Sequence, residues 1–253
     1  MKQKILNNLL ITRTLAINEL KVKYKRSSLG FFWSLLNPVL NIALISIVFS
    51  EIMKMPYKEF VLFLFPGLVT WNLFVSVVNG SSNTLIQNES LIINTPIDKI
   101  IFPFVIGVSM AIDFILIMSV FMILLILLGK ASISLVILPL AILLLLIFSI
   151  GIGLIVCVLN TCFRDVGYIT TILLQVMFFL TPILYPRSRL VAYDWIAKYN
   201  PVGYFIEMFR VPIYQGHFPS INIILINSAF AICAFLIGFI IFRKYQDSLI
   251  FKL

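Results

Sequence analysis

The chain has 253 residues, 61% of them hydrophobic and 11% charged, with 23 phenylalanines and a mean hydropathy of +1.10. That balance excludes a disordered chain and a soluble domain with an ordinary polar surface. The net charge of +9 reads as membrane topology and contact with anionic lipid; nucleic-acid binding is disfavoured, because no soluble basic domain is there to present it.

A helix needs about 20 apolar residues to cross a hydrocarbon layer about 30 Å thick, so the distance between successive charges is informative. Arg26 to Glu51 leaves 24 uncharged positions, Glu59 to Glu89 leaves 29, Lys130 to Arg164 leaves 33, Asp165 to Arg187 leaves 21 and Arg210 to Arg243 leaves 32. Lys99 to Lys130 leaves 30, interrupted only by Asp113. Six stretches can therefore span: 31–53, 60–80, 100–128, 133–159, 168–185 and 221–242. Helix is required for each because lipid offers backbone groups no partner, and the alternating pattern of a barrel strand is missing. The expectation is an all-α, polytopic membrane protein forming one transmembrane domain over 1–253, with a segment 1–30 before the spans, a core 31–242 and a tail 243–253.

In chain order, residues 1–28 hold seven Lys or Arg and lack the apolar core and small-residue cleavage site of a removable signal peptide. Leu6, Leu9, Leu10, Ile17, Leu20 and Tyr24 recur at helical spacing, with Lys4, Asn8, Asn18, Lys21 and Lys25 mostly elsewhere and Arg13 on the apolar stripe. This suggests an amphipathic helix along the membrane surface; the alternative is a bare basic segment that sets topology. An even number of spans puts both termini on one side. With that side cytoplasmic, 12 of the 19 cations lie inside, seven of them just before the first span, as the positive-inside rule favours. The segment 81–99 is a short inner loop with room for a helical turn. Asp113 is an intramembrane carboxylate, hence a candidate for a direct role in transport or for a packing role between helices. The join between the fourth and fifth spans carries Arg164-Asp165. Residues 186–220 form the long outer segment, where the apolar run from Asn200 to Arg210 is too short to cross and reads as a re-entrant or interfacial helix. Glu207 and Arg210 stand one turn apart there and can pair, with Pro201 and Pro212 as brackets.

Catalytic chemistry is poorly supplied. The phosphate-cradling pattern G-x-x-x-x-G-K-[ST] is absent: around Gly129-Lys130, Leu124 replaces the first glycine and Ala131 the hydroxyl residue. His217 is the single histidine, which argues against triad and metal chemistry, and Cys157, Cys162 and Cys233 have neither disulfide nor metal-site spacing. No metal and no cofactor is expected on this chain.

Four fragments together resemble one family, the membrane subunits of ATP-binding-cassette exporters for bacterial cell-surface polysaccharides (O-antigen, capsular polysaccharide or teichoic acid). They are the run from Lys23 through Leu29-Gly30-Phe31-Phe32-Trp33 to Asn37-Pro38; Leu64-Phe65-Pro66-Gly67 with Trp71 and Phe74, followed by Asn88-Glu89-Ser90 and Pro96; Leu159-Asn160-Thr161-Cys162-Phe163-Arg164-Asp165-Val166 with Thr181-Pro182-Ile183-Leu184-Tyr185; and Asn200-Pro201 with Arg210. Their order and spacing along one chain carry the resemblance, which runs over nearly its whole length.

The resemblance implies a permease in the cytoplasmic (inner) membrane, paired with a second copy of itself and two copies of a separate ABC ATPase that holds ATP and Mg. A lipid-linked polysaccharide would then pass along the dimer interface. Phe31, Phe32, Trp33, Trp71, Phe74 and Tyr185 are candidates to line that path, since rings let the CH faces of sugars slide; the alternative for each is an ordinary aromatic belt at the membrane interface. Asn88, Glu89, Ser90 and Asp98 would contact the ATPase as a coupling helix, with the N-terminal helix beside it. Arg164 and Asp165 would either fix their tight turn or pair with the N-terminal helix or the ATPase. Asn200, Pro201, Glu207 and Arg210 would belong to an outer gate. A same-architecture exporter of a drug, lipid or other small amphiphile is the rival expectation.

Overall fold

The computed structural model describes residues 10–19, 21, 32–95, 97–187 and 194–252, and among them there is helix and no strand. Residues 10–19 form α1. The long helices are α2 (Phe32–Met53), α3 (Tyr57–Gln87), α5 (Ile101–Leu127), α6 (Leu138–Cys162), α7 (Asp165–Leu180) and α10 (Ile221–Tyr245). Short pieces connect them: α4 (Glu89–Asn94), a 3₁₀ turn at Ile133–Ile137, α8 (Asp194–Tyr199), α9 (Pro201–Arg210), a π segment at Val211–Gln215 and a closing 3₁₀ turn at Ser248–Lys252.

Five of these helices, the first counted from Leu35 and the fourth with its preceding 3₁₀ turn, are long and apolar enough to cross a membrane; α7 is apolar but only 16 residues long, about 24 Å at 1.5 Å per residue. Six comparable spans are therefore narrowed to five full-length ones and one shorter. The reason lies at Thr181-Pro182. Proline pushes the residue before it out of helical geometry, and Thr181 is extended, with φ −88° and ψ 134°, four residues before the expected end at 185. The second span, expected over 60–80, instead continues to Gln87. Asn88 is what stops it, its side-chain amide donating to the Thr84 carbonyl at 2.8 Å while α4 begins at the next residue. The inner loop is thus mostly helix.

The core is built around α3, which packs on α6, α5, α2 and α9. Phe60, Leu64, Leu85, Leu145, Leu154, Phe205 and Phe209 are fully buried in it. The tightest seam joins α6 and α10. A Cβ added to Gly238 would stand 2.2 Å from the Gly151 carbonyl oxygen, and one on Gly151 would stand 2.5 Å from the backbone of Ala234. Bare glycine surfaces let the two backbones approach this closely, which is how helices associate where lipid and side chain are equally apolar.

α1 packs Ile11, Leu15 and Ala16 against Ile97, Ile101 and Val105, and the Ser109 hydroxyl donates to Glu19 Oε2 at 2.9 Å. The stripe read from the sequence is a different face. Leu10 and Ile17 are exposed, while Leu6, Leu9, Leu20 and Tyr24 lie outside the described residues. One face of α1 grips α5 and another is left open, as on a helix lying between protein and lipid.

Candidate functional site: a polar groove and its two anchored ends

α9 owes its start to Asn200-Pro201. The Asn200 side chain accepts from the Val202 N–H at 3.0 Å, a helix N-cap, and Pro201 occupies the first helical position, where a missing N–H costs nothing. The Asn200 amide also donates to Thr181 Oγ1 at 2.7 Å, and Thr181 donates to the Met177 carbonyl at 2.6 Å. Nine residues into α9, Arg210 is 2% exposed. Its guanidinium donates to the carbonyls of Phe63 (3.3 Å), Pro182 (3.0 Å) and Ile183 (3.2 Å) and to Glu207 Oε1 (3.1 Å), and it lies 4.0 Å from the centre of the Phe63 ring. Gly67 is small because Arg210 is there: a Cβ would come within 2.9 Å of Nη2. Three fragments far apart in sequence (Pro66-Gly67, Thr181-Pro182 and Asn200-Pro201 with Arg210) thus meet at one polar knot.

α9 is a wedge. Phe205 packs on Phe148 at 4.8 Å and Phe209 on Phe114 at 5.6 Å, and Val202, Ile206 and Met208 are fully buried. Ser132 donates to the Gly216 carbonyl and Ser134 to that of Pro212, fastening the segment after α9 to the turn before α6. A gate hinged at Asn200 or Pro201 would have to break this whole set, so any opening here moves α9 together with α3 and α7. Asp113, next to Phe114 on α5, is buried and engaged by a neighbour.

At the other end of α3 a second knot forms. Asn160 donates to the Ser82 carbonyl and to Asn83 Oδ1, both at 3.0 Å, and accepts from the Gly167 N–H at 2.6 Å. Asn160 thereby ties α6 to α3 and to the first turn of α7. Arg164 and Asp165 are exposed beside it at the tight turn from α6 into α7.

The coupling residues expected along 88–98 divide into two groups. Glu89 and Ser90, with Ile86, Gln87, Ile93 and Asn94, border an open depression of about 460 Å³ on α3 and α4. Asn88 is turned onto the end of α3. Asp98 is paired with Arg243 of α10, Nη1 to Oδ2 at 3.1 Å, with the carboxylate largely buried. Its charge is engaged inside the subunit, which corrects the expectation of a carboxylate free for a partner. Pro96 lies outside the described residues.

Between the two knots α3 and α7 leave a groove of about 370 Å³, bordered by Trp71, Val75 and Asn79 of α3 and by Thr171, Leu174, Gln175, Phe178 and Phe179 of α7. Trp71 meets Phe178 edge to face at 5.8 Å, and Thr171 Oγ1 donates toward Asn79 Oδ1 at 3.5 Å. Of the aromatic candidates, Trp71 borders this groove but is itself 5% exposed, its ring set mostly in the core. Phe74 does not border it: it is 3% exposed, stacked on Phe148 in the core, so its ring is unavailable to a passing ligand. Tyr185 hydrogen-bonds the Phe179 carbonyl at 2.7 Å, at the knot end of α7. Phe32 and Trp33 are exposed on the first turn of α2, and Phe31 lies outside the described residues.

The sequence held a signal that the aromatic search passed over. Asn72, Ser76, Asn79 and Asn83 fall at i, i+4, i+7 and i+11, within one narrow stripe of α3, and none of the four is buried. Thr171 and Gln175, one turn apart on α7, are exposed opposite them. Amides and hydroxyls facing outward from a membrane helix require water or a partner, because hydrocarbon leaves them unsatisfied.

Helices long and apolar enough to cross a membrane, tied together by two polar knots, define a polytopic membrane protein. The profile described as "ABC-2 type transporter" matches residues 12–214, and the chain belongs to that family. Among proteins it is similar to, an O-antigen export system permease protein RfbA of Klebsiella pneumoniae is 30% identical over 233 residues, covering 90% of this chain and 89% of the relative. A protein of the same name from Myxococcus xanthus is 26% identical over 82% and 81%. The polysialic acid transport protein KpsM of Escherichia coli is 24% identical over 93% of both chains.

Proposed function

We propose that this chain is the permease subunit of an ATP-driven exporter that moves a lipid-linked cell-surface polysaccharide across the cytoplasmic membrane. It works as two copies with two copies of an ABC ATPase, and crosses six times with both termini in the cytoplasm. The observation that carries this reading is the outward-facing amide and hydroxyl stripe of α3 and α7, in a chain whose relatives are named for polysaccharide export. A stripe running along a membrane helix suits an extended hydrophilic polymer better than a compact amphiphile, which would ask for an enclosed, mostly apolar pocket.

In this arrangement a second copy covers the groove and turns it into a path. α7 favours such pairing, with Leu174 its only buried residue. Phe178 and Phe179 offer ring faces to sugars, while Asn79, Thr171 and Gln175 exchange hydrogen bonds with hydroxyls. The depression around Glu89 and Ser90 receives the ATPase, and ATP and Mg are held by that partner rather than by this chain. Motion enters through α4 and reaches α10 through the Asp98–Arg243 pair, α6 and α7 through Asn160, and α9 through Arg210. A strain deleted for this gene should lose its surface polysaccharide and accumulate the polymer inside, with recovery when the gene is restored. A normal surface coat and no internal polymer would refute the reading.

A further inference from the structure

The lining of the groove also bears on the charge of the cargo. From Phe60 to Gln87 on α3 and from Val166 to Leu180 on α7 there is no charged side chain. The groove surface is mostly apolar, with the exposed ring of Phe179 on it, and its polar groups, Asn79, Thr171 and Gln175, are all uncharged. Arg210, the one cation set deep in the described helical body, donates to three carbonyls and to Glu207 and has no donor aimed into the groove. At the α4 end, exposed Arg164 stands next to exposed Asp165, so that rim carries no net charge from the pair.

A polyanion in such a path would place several carboxylates or phosphates at once in a narrow, low-dielectric space. Each would lose hydration with no fixed counter-charge, and neighbouring charges would repel more strongly than in water. Pores that pass anions and phosphates answer this with rings of Arg or Lys. Sugar hydroxyls need only partners that both donate and accept, and Asn, Gln and Thr supply both.

We infer that the exported polymer is a neutral glycan, with no carboxylate or phosphate in its repeating unit. This rests on the polysaccharide-export reading above and adds a property that the relatives' names do not share, polysialic acid being a polyanion.

The test is the charge of the material retained by the deletion strain. The internal polymer is collected, its lipid-linked end removed by mild acid, and the glycan passed over an anion exchanger at low salt. It is expected to elute unretained, with no uronic acid, sialic acid or phosphate in its hydrolysate. A retained polymer carrying those groups would overturn the inference and leave the export reading intact; absence of any internal polymer would remove the export reading itself.

Discussion

Arg210 shows how one side chain can hold a membrane protein together. A guanidinium has five donors in a planar fork, and here they are directed to carbonyls from two other elements of the chain and to Glu207. These carbonyls are available for local reasons. Thr181-Pro182 ends α7, so the carbonyls of Pro182 and Ile183 lie beyond the helix and accept from Arg210. Replacing Arg210 by Met keeps the bulk and strands those oxygens, each costing about 1–3 kcal/mol when buried without a partner. Arg210→Met is therefore expected to lower the thermal midpoint of the detergent-solubilised protein by well over 5 °C, with Arg210→Lys intermediate because one ammonium cannot reach the same set. A midpoint within 1 °C of wild type would show the knot to be dispensable. The Glu207–Arg210 pair was legible from its i, i+3 spacing. The carbonyl partners were not, since no sequence pattern marks which backbone groups a proline or a helix end will leave free.

Among the elements, helices and their order were legible from the spacing of charges, and boundaries were less so. Hydropathy registers apolar length, so it located α5 and α10 within a few residues at either end. It could not see α3 running on through Ser81, Ser82 and Asn83, where Asn160 bonds the Ser82 carbonyl and Asn83 Oδ1 while the Ser81 and Ser82 hydroxyls are buried. It also gave α7 too many residues, because Pro182 ends the helix while the sequence remains apolar to Tyr185. The α6–α10 seam was hidden for another reason: Gly151 and Gly238 are far apart in the chain, and glycine in an apolar run announces neither a partner nor a distance. With Cβ positions only 2.2 Å from backbone oxygen, Gly238→Ala must push the two helices apart. Overpacking of this kind costs about 1–3 kcal/mol, and the variant should unfold at lower temperature, whereas Ala on the exposed face of the same helix, as in Ile232→Ala, should change little. Equal midpoints for the two variants would contradict the packing described.

At the scale of the molecule, two polar knots at opposite ends of α3 leave between them a mostly apolar groove that carries the uncharged polar groups Asn79, Thr171 and Gln175. The fragments of the chain that carried the family resemblance are largely the knots themselves, so family membership was legible while the path was not. The path is drawn by asparagines and glutamines at helical spacing, a weak signal in a chain where aromatic residues are far more conspicuous.

The central claim is that this groove is wet, and water access tests it most directly. In a background with Cys157, Cys162 and Cys233 replaced, single cysteines at groove positions 79, 171, 175 and 179 would be treated with a charged, water-soluble thiol reagent in membranes. Positions 232 and 236, exposed on α10, serve as lipid-facing controls. Modification at most of the groove positions, with the controls inert, is the predicted result; a groove as unreactive as the α10 face would contradict the account.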